Sequence, residues 1–160
     1  MAASIDAAIR EARGGEYLAA LTMFLDLYGT PDSPPLNTPK AATGLSWFGL
    51  CVALVRKEYK PAIDLCRRAI ELEFYNGDHY ANLARVYAAA GKRKKAVETA
   101  NDGLRVAPDD PYVREVRHSL GVRARPAVPF LDRTHPINVS LGQSRHAKKV
   151  SERERKSGRK

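Results

Sequence analysis

The fold turns on how one stretch is read: GKRKKAVETANDGL, Gly91–Leu104. Its four consecutive basic residues, Lys92–Lys95, invite a polyanion-binding patch. Two other stretches carry the same pattern without the basic quartet. GGEYLAALTMFLDL (Gly14–Leu27) and RKEYKPAIDLCRRAI (Arg56–Ile70) place Ala20 and Ala62 where this one has Ala96. Four positions on stand Phe24, Cys66 and Ala100, and three further on Leu27, Ala69 and Gly103. Ala62 and Ala96 lie 34 residues apart, and Ala20 and Ala62 lie 42 apart. The excess of eight falls within GTPDSPPLNTPK, Gly29–Lys40, whose four prolines forbid continuous helix. Self-similarity at such a period marks a helical repeat. The basic quartet falls where the other copies have Glu16–Ala19 and Glu58–Pro61, so it reads as a turn and the first turn of a helix. Pro61 suits that place because a proline early in a helix loses no needed hydrogen bond. Basic charge there opposes the helix dipole, so a binding use remains open beside the turn reading.

Each copy carries a helix before its turn. In the third, Tyr80, Leu83, Ala84 and Tyr87 recur at three- and four-residue spacing, and Ala96, Val97, Ala100 and Leu104 form the facing stripe. In the second, Leu50, Ala53 and Leu54 face Ile63, Cys66, Ala69 and Ile70. Small residues, Gly49 with Ala62 and Ala84 with Ala96, allow close antiparallel packing. After the third copy, PYVREVRHSLG (Pro111–Gly121) reads as one more helix, capped by Asp109 or Asp110 and ended by Gly121. Val113 and Val116 are placed to cover the last repeat, as a solenoid end requires.

Gly77–Asp110 resembles a tetratricopeptide repeat (TPR) over its full length. Tyr80, Leu83, Ala84, Tyr87, Ala96 and Pro108 occupy the places of the W-x2-L-G-x2-Y, alanine and terminal-proline pattern. Arg93 and Ala100 replace the usual aromatics of the second helix. The second copy matches through Gly49, Leu50, Tyr59, Ala62 and Ala69, with Phe74 where proline is common. The first matches in its second helix and departs in its first, where Glu11 replaces an aromatic. The resemblance implies an all-α, right-handed α-solenoid of three TPR-like helical hairpins, a C-terminal capping helix and a basic flexible tail. The expected repeats are 2–34, 44–76 and 77–110, with the capping helix at 111–121 and the tail at 123–160.

It also implies a concave groove, lined by the first helix of each pair, that holds a peptide or helix of a partner protein. Carried over residue by residue, the groove candidates are Trp47, Cys51, Leu54, Asp78, Ala81, Asn82 and Arg85, with Ala88 beside them and Ile5 and Ile9 shared between groove and core. Trp47, the sole tryptophan, reads either as a rigid groove anchor or as a residue packed beneath the Pro-rich insertion or the tail. Arg85 can meet an acidic group or a chain terminus. Some TPR proteins grip a C-terminal carboxylate with a set of Lys, Asn and Arg. That set is not reproduced here, where Ile5, Ile9 and Asp78 stand in its places, so a chaperone-tail receptor is not expected.

Charge separates body from tail. Residues 1–122 hold 16 Lys+Arg against 15 Asp+Glu, and residues 123–160 hold 11 against 3. The candidate polyanion-binding residues are therefore Arg145, Lys148, Lys149, Arg153, Arg155, Lys156, Arg159 and Lys160, which would bind nucleic acid or an anionic surface by counterion release. No aromatics are interleaved with them, so base stacking is not expected. A passive, solubilising tail is the alternative. Two apolar clusters, Val128–Leu131 and Ile137–Leu141, could instead occupy the protein's own groove.

No phosphate-cradling glycine loop, G-x-S-x-G or H-E-x-x-H is present, and the four histidines are scattered. Neither enzyme activity nor a cofactor or metal is expected. Cys51 and Cys66 read as buried cytosolic thiols. With no apolar run near the roughly 20 residues of a bilayer span and no secretory signal, the expectation is a cytoplasmic protein, taken as a monomer.

Overall fold

A computed structural model describes residues 4–32, 34 and 40–121, with Ser140 and Ser144 beyond them. The eight tail residues singled out for polyanion binding, and both apolar tail clusters apart from Ser140, lie outside the described residues. The chain up to Gly121 forms one compact unit.

Seven α-helices succeed one another in the described residues: α1 (Ile5–Gly14), α2 (Tyr17–Tyr28), α3 (Ala41–Cys51), α4 (Tyr59–Leu72), α5 (Gly77–Ala89), α6 (Arg93–Val106) and α7 (Pro111–Ser119). They pair as α1 with α2, α3 with α4 and α5 with α6, and each pair packs on the next, with α7 against α5 and α6. This is an α-solenoid of three hairpins and a capping helix.

The stretch Gly91–Leu104 is a turn that leads into helix α6. Gly91 adopts φ 73°, a left-handed conformation that glycine takes without a Cβ clash. It lets the Lys92 amide donate back to the Tyr87 carbonyl at 2.8 Å, satisfying an orphan acceptor at the end of α5. The quartet is largely solvent-facing: Lys94 pairs loosely with Glu98 at 3.9 Å, and Arg93 donates to the Gly121 carbonyl at 3.1 Å.

Close approach requires the small residues at the helix contacts. A Cβ on Gly49 would lie 2.8 Å from the Ala62 carbonyl oxygen and 2.9 Å from Cys66 Sγ. The main core contains Phe24, Tyr28 and Phe48, whose ring centroids are 5.7–6.0 Å apart. Ile9 belongs to this core and Ile5 packs against it, so the first helix turns both inward rather than to a groove. Asp110, not Asp109, caps α7: its Oδ1 accepts from the amides of Tyr112 at 2.8 Å and Val113 at 3.1 Å.

The end of α3 departs from the repeat pattern. Past Cys51 the helix widens into a π-helical segment, Val52–Arg56, closed by Lys57 at φ 62°. A wider turn shifts side-chain phase. Val52 and Ala53 are sealed in the core while Leu54 is only half-buried, so the expected Ala53–Leu54 core pair is corrected to Val52–Ala53. No helix among the described residues is long and apolar enough to cross a membrane.

Candidate functional site

A cleft of about 670 Å³ opens between α1, α3, α5 and α7. It is lined by Ala12 and Arg13 of α1, Tyr17 at the start of α2, Trp47 of α3, Asp78 and Arg85 of α5, and Asp110, Pro111, Tyr112, Glu115, Val116 and Ser119 of α7 and its cap.

Trp47 is part of the wall and is 2% exposed. Tyr112 stacks on it, with centroids 5.6 Å apart and planes 17° from parallel. The Arg13 guanidinium lies 5.5 Å from the indole centroid and donates to Asp78 Oδ2 at 2.6 Å. The indole Nε1–H has no hydrogen-bond partner among the described residues. Trp47 is therefore packed under α7, and only its cleft-side edge is available to a ligand.

A chain of hydrogen bonds fixes this arrangement. Asn82, fully buried, donates to Ser46 Oγ at 3.0 Å and accepts from the Tyr112 hydroxyl at 2.7 Å. Arg85 donates to the Tyr112 hydroxyl at 3.0 Å and to the Tyr17 hydroxyl at 2.6 Å, and lies 5.4 Å from the Tyr17 ring centroid. Its charge meets no carboxylate among the described residues. A half-buried guanidinium served only by phenols is a cation ready for an anion.

Burial pushes the Tyr112 phenol up to about 12, against the opposing pull of Arg85, so the hydroxyl stays protonated and can donate to Asn82. Burial also raises the Asp78 carboxyl, opposed by Arg13 and assisted by Asp110. Cys51 is pushed up to about 12 by burial, and burial likewise raises Cys66. Both are free, buried thiols.

Of the seven groove candidates, the cleft brings together Trp47, Asp78 and Arg85. The other four take different places. Cys51, Ala81 and Asn82 are completely buried, and Leu54 packs half-buried against the core. The reason is that α3 and α5 are inner helices, flanked on most sides. Ala88 is exposed and lies outside the cleft lining.

Arg13, Tyr17, Tyr112 and Glu115 were not among the candidates. Tyr112 follows Asp78 by 34 residues, so reading α7 as the first helix of a further repeat would have put it in the groove. Tyr17 carries no such signal, because its turn position does not announce that it reaches α5. No group of His, Cys, Asp and Glu suited to a metal ion occurs among the described residues.

These features define a helical-repeat protein with a lined cleft between α1, α3, α5 and α7. Residues 53–120 match the family described as Tetratricopeptide repeat. The chain is similar to the heat-shock protein cognate (HSC) co-chaperone sgt12 of Aspergillus fumigatus, 30% identical over 122 residues that cover 66% of this chain. It spans only 36% of that relative's length. Among solved structures it resembles the first TPR of Spaghetti (RPAP3) bound to the HSP90 peptide SRMEEVD, at 14% identity and TM-score 0.50, over 72% of this chain and 85% of that one. It also resembles the second TPR domain of human RPAP3 in complex with the HSP70 peptide SGPTIEEVD, at 16% identity and TM-score 0.52, over 74% and 92%. Residues 53–120 thus carry the tetratricopeptide-repeat pattern, and the helical unit shares the fold of solved tetratricopeptide-repeat domains.

Proposed function

We propose that this protein is a non-enzymatic adaptor that holds a peptide segment of a partner protein in the cleft between α1, α3, α5 and α7. The observation that carries the reading is Arg85, a half-buried cation in the cleft wall that lacks an acidic partner among the described residues. An acidic side chain or chain terminus of the bound segment would supply the missing charge, in a site where partial burial strengthens the pair. Two of the structural neighbours hold peptides that end in EEVD, which supports a peptide-sized ligand with acidic groups. Tyr17 adds a second hydroxyl for the ligand, and the Trp47–Tyr112 stack gives a rigid aromatic surface at low entropic cost. A cytosolic setting accords with the two buried free thiols and with the co-chaperone relative.

Full-length protein and its Arg85→Gln variant, used as baits in native lysate with nuclease and moderate salt, test the reading. Protein partners retained by the parent and lost with Arg85→Gln, at unchanged helical circular dichroism, are the expected result. Identical partner sets for both baits, or a set removed by nuclease, would contradict it.

A further inference from the structure

The cleft is charged in opposite senses at its two ends. Asp78 and Arg85 stand seven positions apart on α5, about 10 Å along the axis at ~1.5 Å per residue. Each has its own partners: Asp78 is held by Arg13, and Arg85 by Tyr17 and Tyr112. At the Asp78 end, the neighbouring charge of Asp110 deepens the negative potential. At the Arg85 end, the guanidinium meets two phenol hydroxyls and no carboxylate among the described residues.

Arg13 shows how a guanidinium fits the acidic end. It lies over the indole face and pairs with Asp78 at 2.6 Å, yet its side chain is 58% exposed against 16% for Asp78. The carboxylate is held by the fold, whereas the arginine reaches in from outside and can swing back into water at little cost. A partner's basic side chain can take its place.

Taking the cleft to be the peptide site proposed above, we infer that it reads a segment bearing one acidic and one basic side chain three residues apart, the acid on Arg85 and the base on Asp78. In an extended polyproline-II segment, residues i and i+3 project to the same side about 9 Å apart, which matches the Asp78–Arg85 separation. Neighbouring spacings turn one of the two charges away. Arg13 is then an internal competitor that sets how strongly the base is read.

The peptide SRMEEVD contains this spacing, from its arginine to its second glutamate, and SGPTIEEVD has no basic residue. The test measures fluorescence anisotropy of labelled SRMEEVD, SAMEEVD, SGPTIEEVD and the register series SMRAEVD, SRMAEVD and RSMAEVD against the full chain. SRMEEVD is expected to bind about fivefold tighter than SAMEEVD, the range of a partly exposed ion pair, and SRMAEVD tighter than either register neighbour. Asp78→Asn should erase those differences and leave an acid-dependent remainder. Arg13→Ala, at an exposed side chain that the fold tolerates losing, should widen them.

Equal affinity across the register series, or a preference that survives Asp78→Asn, overturns this inference. If the peptides bind equally but weaken with Arg85→Gln, only the paired-charge reading fails and the peptide cleft stands. If no peptide binds saturably to the parent protein, both readings fall.

Discussion

Helices α3 and α6 belong to the same repeat design and could hardly be more different in surroundings. In α3, Ala41–Cys51, ten of eleven residues are buried; in α6, Arg93–Val106, only Ala96, Ala100 and Gly103 are. The first is enclosed by its own partner α4, by α5 and by the first hairpin, while the second buries one narrow stripe against α5 and α7 and leaves the rest in water. The contrast teaches where ligand chemistry can sit in such a fold. An inner helix is largely sealed, so its contribution to a cleft is the edge of a large side chain such as Trp47. Most polar contacts come from element ends and from neighbours that reach in, as Arg13, Tyr17, Asp78 and Tyr112 do, with Arg85 the exception that an inner helix supplies from its middle.

The contrast can be broken most severely at Trp47. Trp47→Ala removes a buried indole, the Tyr112 stack and the Arg13 contact together, and should cost about 3–5 kcal/mol, read from urea unfolding monitored by circular dichroism. Gly49→Val tests the enclosure itself. Its branched side chain would run into the Ala62 carbonyl and Cys66, with an expected loss of about 1–3 kcal/mol. Tyr112→Phe keeps the ring and removes a hydroxyl that serves both Asn82 and Arg85, and should cost about 1–2 kcal/mol in the same assay.

A smaller effect is expected on acidification. His79 is fully buried and its Nδ1 has no partner among the described residues. Burial lowers its pKa below the ordinary 6.5, against the opposing influence of Glu73. Between the folded value and about 6.5 the unfolded chain therefore binds more protons. The stability tied to neutral His79 is complete above pH 6.5 and is lost as pH falls through and below it. Urea midpoints at pH 7.5 and 5.5 should show the drop, and His79→Gln should reduce it. At the open extreme of the comparison, Lys94→Ala removes a solvated partner of Glu98 and should shift stability by less than about 0.5 kcal/mol; a larger loss would mean that the basic turn is structurally engaged.

The outer helices were the legible part of this molecule. In α6 and α4 one face is apolar and the other charged, so periodicity, the alanine positions and the 34-residue offset between the second and third copies carry the fold. Gly49 was legible for the same reason, since only a small residue suits a close helix crossing. The site was legible only in part. In α3 and α5 apolar and small polar residues occur on nearly every side, and a helix buried all round has no period that tells groove from core. Cys51, Ala81 and Asn82 were therefore placed in the groove although they are sealed, and Leu54 was misplaced by a π-helical turn that no residue type announces. Tyr112 was hidden by treating α7 as a cap rather than as a wall. Arg85, at the same face as Asp78 but two turns along, lies in the cleft wall where its helical register put it.

The central claim is that a peptide with an acidic group occupies the cleft and meets Arg85. Because the chain has a single tryptophan, its indole N–H gives one resonance in a nitrogen-15 correlation spectrum of the full-length protein, reporting on the cleft wall. On titration with SRMEEVD that resonance should move and saturate at one peptide per chain, and Arg85→Gln should suppress the movement while the backbone spectrum stays folded. Saturable shifts elsewhere in the spectrum with an unmoved indole resonance would contradict the claim, because the peptide would then be bound outside the cleft.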